Sequence, residues 1–111
     1  MIAEADIDRA LRYLRESAEE AAQARANMKY LAEFLDVKLA QIIKAMPDAL
    51  SATAAKSIAK ADADYLAVLD GYRAAIELDA KHQFKREAAD ALIRAWQTMC
   101  SNARIEGRVY S

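Results

Sequence analysis

An all-α fold, a long antiparallel helical hairpin completed by self-association into a bundle, is the class this sequence predicts. Three observations lead there. In 111 residues there are two Gly and one Pro, so turn punctuation is almost absent. Alanine accounts for 27 residues, alongside ten Leu and eight Ile, a composition that favours helix over strand. Apolar residues recur every three or four positions along two stretches, and Pro47 separates them. A sandwich, a doubly wound sheet or a propeller would need far more turn residues.

The first predicted helix covers about residues 3–46. Its apolar line is Ile7, Leu11, Leu14, Ala18, Ala21, Ala24, Met28, Leu31, Leu35, Leu39, Ile42 and Met46. Asp6 and Asp8 suit its N-terminus, and Lys44 suits its C-terminus, where cations oppose the helix dipole. Pro47 ends it. Residues 47–51 form the predicted turn, with Asp48 or Ser51 able to cap the second helix.

That second predicted helix covers about residues 52–105, with a short tail at 106–111. Its line is Ile58, Ala61, Tyr65, Leu69, Tyr72, Ile76, Ala80, Phe84, Ala88, Ala91, Ala95 and Met99. Gly107 is placed just past the helix end, and Arg104 and Arg108 complement its dipole. Asp70-Gly71 is a rival break, and a three-helix reading stays open there. The apolar line continues in phase through the glycine, which favours one helix. In a hairpin closed at Pro47, facing residue numbers sum to about 100. Gly71 then falls near Met28 or Tyr30, where a missing side chain would give a bulky neighbour room.

A single 1–111 domain of two helices cannot cover everything apolar in it. Phe34, Ile43, Leu66, Leu78, Leu92, Ile93 and Trp96 lie beyond the two lines. Self-association, most simply a dimer giving a four-helix arrangement, is the expected remedy.

The 16 Lys and Arg balance 17 Asp and Glu, for a net charge of −1, so bulk charge does not hold this chain on nucleic acid. One Cys excludes a disulfide framework and points to a reducing compartment. No apolar run approaches membrane-spanning length, and Glu4, Asp6 and Asp8 come after Met1 where a signal peptide would carry positive charge. A cytoplasmic location with no membrane partner is the expectation.

Residues for catalysis are scarce. His82 is the sole histidine and sits among Lys81, Lys85 and Arg86, as on a solvated helix surface. Triads and multi-histidine metal sites are thereby excluded. Cys100 reads as a small buried or half-buried filler. Glu16, Glu19 and Glu20 lack the Glu-x-x-His element of a carboxylate-bridged metal bundle. With no glycine-rich phosphate loop either, the expectation is a non-enzyme without cofactor or metal. Arg9, Arg12 and Arg15 recur every third residue, and the hairpin register brings Lys81, Lys85 and Arg86 toward the same end. These six are the nucleic-acid candidates, but acidic neighbours make the local field close to neutral, so nucleic acid is not the favoured partner.

The C-terminal segment is the least generic. Arg94, Trp96, Thr98, Ser101, Asn102 and Arg104 place the only Trp among polar residues that add little to helix stability. Trp and Arg are favoured anchors at interfaces, which makes these six the partner-binding candidates; the alternative is a fraying end with Trp96 packed on the first helix. Trp96, Thr98, Ser101, Asn102 and Arg104 also resemble a family of short phage-encoded, alanine-rich helical proteins. Those end in a helix of the form Trp-Arg-Thr-x-x-Ser-Asn-x-Arg, with Gln97 here at the position usually Arg. The resemblance implies a bacterial-host setting and an accessory role in phage recombination or replication. Inhibition of a host nuclease or defence complex is one alternative and direct single-stranded DNA binding another. The partner expected is a host or phage protein.

Overall fold

The computed structural model describes residues 2–110, with side chains as far as Gly107. Of these residues 89% are helical, in four helices and no strand. They are α1 (Glu4–Glu16), α2 (Ala18–Lys44), α3 (Ala52–Lys60) and α4 (Ala63–Tyr110). The fold is all-α, and its helices pair antiparallel as in a hairpin. The chain divides into two compact units: Met1–Ala21 with Lys81–Ser111, and Ala22–Ala80.

In the first unit, α1 lies antiparallel to the C-terminal part of α4. Arg86 reaches back to donate to the Leu14 carbonyl at 2.8 Å and to Ser17 Oγ at 2.9 Å. The inward-facing residues step by three and four in strict alternation: Ile7, Ala10, Leu14, Ser17 and Ala21, then His82, Arg86, Ala89, Ile93, Trp96 and Cys100, all buried or half-buried. This is the seven-residue repeat of a coiled-coil seam.

The second unit pairs α2 with the start of α4. Here the seam runs through Ala24, Met28, Leu31, Leu35, Lys38 and Ile42, and through Tyr65, Val68, Tyr72, Ala75 and Asp79. Arg25 Nε donates to Asp79 Oδ1 at 3.2 Å, across 54 residues of sequence. Residues 45–51 make the turn, and Ser51 is the cap: its Oγ accepts from Ala54 N at 3.1 Å. The short α3 buries Ala55 and Ala59.

Several expectations need correcting. The first helix is interrupted at Ser17, whose φ of −90° and ψ of −4° depart from the helical values. Serine supports helix only moderately, and the Arg86 guanidinium occupies the Leu14 carbonyl there. A side chain inserted at a helix carbonyl is a recognised cause of such a break. The second helix is interrupted at 61–62, where Asp62 Oδ1 accepts from Asp64 N at 2.8 Å and caps α4. Asp70-Gly71 does not break the helix. Gly71 is exposed and a Cβ there would meet nothing within 4 Å, so it makes no room for Met28 or Tyr30. Gly107 does not lie past the helix end, because α4 continues to Tyr110 through it with no positive φ. The expected role of Arg108 at that end lies outside the described side chains.

The apolar lines also differ in part from those expected. Leu11 is 43% exposed and Ala18 is exposed, while Ala10 and Ser17 take the seam. On α4 the difference is larger: Ile76, Phe84, Ala88, Ala91, Ala95 and Met99 are all exposed. A step of four overshoots a full turn by roughly 40°, so four in succession, from Tyr72 to Ala88, carry a line roughly 160° around the helix. Of the seven residues expected to lie beyond the two lines, Leu66 and Leu78 are exposed, whereas Phe34, Ile43, Leu92, Ile93 and Trp96 are half-buried, Ile93 and Trp96 on the seam itself.

Candidate functional site

The C-terminal segment belongs to the last turns of α4. Trp96 and Cys100 are half-buried on the seam side. Arg94, Thr98, Ser101, Asn102 and Arg104 are exposed, as is Ile105 at 59%. Local bonds keep this face in order. Arg94 Nη2 pairs with Asp90 Oδ2 at 2.7 Å, one helical turn back. Thr98 Oγ1 donates to the Arg94 carbonyl at 3.1 Å, the back-bonding that lets a Thr sit inside a helix. The six predicted residues therefore separate into one hydrophobic anchor facing inward and five polar side chains facing out.

The six nucleic-acid candidates do not form one patch. Arg9 pairs with Asp6. Arg12 and Arg15 are exposed and make no ion pair among the described residues. Lys81 and Lys85 are exposed, each one residue before a seam position. Arg86 is the correction: it is half-buried on the seam itself, bonded to Leu14 and Ser17, and presents no free surface cation. His82, expected on a solvated surface, is half-buried on the same seam. Carrying the Ser17–Arg86 register one turn along brings it opposite Ala21.

At the N-terminal end, Asp6 Oδ2 accepts from Ala3 N at 3.1 Å, closing the first turn of α1. That backbone bond, followed by the Arg9 side chain, holds the Asp6 carboxyl below the usual carboxylate value. Asp6, Arg9, Ala10 and Tyr13 of α1 and Ala88, Ala89 and Leu92 of α4 line an open groove of about 400 Å³. Three of these lining residues are alanine, and the shielded Tyr13 hydroxyl finds no hydrogen-bond partner among the described residues.

Sequence reasoning missed two polar seam residues, Ser17 and Asp79, respectively 8% and 7% exposed. The signal was spacing: both fall on the alternation of three and four that the apolar neighbours set. Among the described residues no group of three or more His, Cys, Asp or Glu is arranged to hold a metal ion. Nor is any helix among them long and apolar enough to cross a membrane. No protein-family model, curated protein or solved structure matches the chain.

Proposed function

We propose that this is a non-enzymatic, self-associating helical protein that works by binding another macromolecule, as a phage accessory in recombination or replication within the host cytoplasm. The observation that carries the binding is the exposed set Arg94, Thr98, Ser101, Asn102 and Arg104, on the side of α4 away from the inward-facing Trp96. A helix face presenting amide, hydroxyl and guanidinium groups offers a partner directional hydrogen bonds, and arginine is among the residues favoured at interface centres. The phage assignment is supported by the resemblance of that segment alone. A second reading, occupation of a host nuclease or defence complex, uses the same surface on a different partner. Direct DNA binding is less favoured, because Arg9 and Arg94 pair with carboxylates and Arg86 bonds within the hairpin.

The test is capture of partners from infected-cell extract by the full chain and by a variant with Arg94, Ser101, Asn102 and Arg104 changed to Ala. All four are exposed, so helicity should be almost unchanged. Each desolvated charge-assisted or amide hydrogen bond is worth about 1–3 kcal/mol, so capture should fall steeply. Phage replication proteins lost from the variant support the accessory role. A host nuclease lost from it favours the second reading. Equal capture by both chains defeats the assignment to this segment.

A further inference from the structure

From the outer face of α4 we infer a specific interface: a second copy of this chain, docked antiparallel along Phe84, Ala88, Ala91 and Ala95. This deepens the self-association part of the proposed function and is independent of the phage role. All four residues are exposed, and Phe84, at 68%, is the most exposed of the large hydrophobic side chains described. Phe84, Ala91 and Ala95 lie on the side of α4 turned away from its seam residues Arg86, Ala89, Ile93 and Trp96, and Ala88 lies at the edge of that side, where it borders the groove against α1. Their steps of four, three and four make a second coiled-coil line on the same helix.

Complementarity in both size and charge identifies the occupant. Paired antiparallel about a two-fold axis close to Ala89 and Asp90, the line sets Phe84 of one copy against Ala95 of the other. Ala88 meets Ala91 at the centre. The bulky residue thus meets a small one at each end, and alanines let the backbones approach between them. Glu87 and Arg94 each precede a contact residue, Ala88 and Ala95, on one shoulder of the helix. The same two-fold operation brings Glu87 of each copy to Arg94 of the other, making two opposite-charge contacts. A parallel pairing would instead oppose Phe84 to Phe84 and carry the Glu87–Arg94 shoulders of the two copies to opposite sides of the contact, so that they could not pair. The existing partners of both shoulder groups are local and solvent-exposed, Glu87 with Gln83 at 3.1 Å and Arg94 with Asp90, so exchange costs little.

Sedimentation equilibrium of the full chain tests this, with circular dichroism as the control for folding. The wild type should dimerise at micromolar concentration. Glu87→Arg and Arg94→Glu should each weaken the dimer by roughly tenfold, because each converts two attractions into two repulsions. The double variant should recover most of that loss, which no general effect on helix stability would produce. Ala91→Arg, at the centre of the contact, should yield a monomer with unchanged helicity. A wild-type monomer at all concentrations overturns the proposal. A dimer indifferent to all three substitutions also overturns it, while leaving self-association through some other surface standing.

Discussion

Ser17 and Arg86 offer the most direct test of how the hairpin holds together. Arg86 donates to both Ser17 Oγ and the Leu14 carbonyl from a half-buried position, and Ser17 is only 8% exposed. Ser17→Ala removes a hydrogen bond to a charged donor, worth about 1.5–3 kcal/mol. Alanine's better helix propensity returns about 0.5 kcal/mol, leaving a net loss of roughly 1–2.5 kcal/mol. Arg86→Met keeps an apolar stem in place but leaves the serine hydroxyl and the carbonyl without their donor, for a loss of roughly 2–4 kcal/mol. Combining them should cost less than the two losses added, by about 1–2 kcal/mol, because the orphaned hydroxyl is gone as well. Urea and thermal unfolding followed by circular dichroism, at one fixed protein concentration, would measure all three variants. A net loss of roughly 1–2.5 kcal/mol corresponds to a melting temperature lowered by roughly 4–10 °C in a chain of this size. Strict additivity within about 0.3 kcal/mol, or a neutral Ser17→Ala, would show that this bond does not stabilise the fold.

Three further outcomes are expected of the same structure. Gly71→Ala should raise stability by up to about 1 kcal/mol, since the position is helical and exposed and a Cβ meets nothing there; a lower melting temperature would contradict an open helical site. Asp62→Ala should cost about 1 kcal/mol through the lost α4 cap, and hydrogen exchange should show faster amide turnover at Asp64, the residue whose N–H it accepts. Asp6 should titrate below 3.8 when followed by carboxyl NMR. Its folded value is depressed, so its contribution is present above the unfolded value of 3.8 and is lost as pH falls through the lower folded one. Asp6→Asn should flatten that part of the pH profile of α1 stability.

The elements that were legible in the sequence are those fixed by local chemistry. Scarce glycine, abundant alanine and Pro47 sufficed for the all-α class and the turn, and Ser51 was recognisable as a cap because its hydroxyl bonds within three residues. Asp62 was equally local, a good N-cap in Lys60-Ala61-Asp62, but the more familiar Asp70-Gly71 pair drew the break away from it. The Ser17 lapse was not legible, because its cause is a guanidinium 69 residues further along. For the candidate site the same division holds. The polar face from Arg94 to Arg104 could be read from helical spacing. The inward position of Arg86 could not, since a charged residue looks like surface until a buried acceptor is found for it. Apolar spacing also misled on α4, where alanines on both sides of the helix allow more than one continuous line.

The polar pins of the seam have a consequence for uniqueness. Alanine packs against alanine almost equally well wherever two helices are laid together. A hairpin seamed by alanine and leucine alone would therefore tolerate slippage by one repeat with little loss of contact. Among the described residues each unit carries a contact that does not tolerate it, Arg86 with Ser17 in the first and Arg25 with Asp79 in the second. A shift of about seven residues moves a side chain roughly 10 Å along its helix, beyond hydrogen-bond reach of its acceptor. It would also strand Asp79, a buried carboxylate, without a cation. Replacing these pins by well-fitting apolar residues is a change that can preserve melting temperature and still degrade the protein, by turning one alignment into an exchanging set that spectroscopy would see as multiple resonances for single residues.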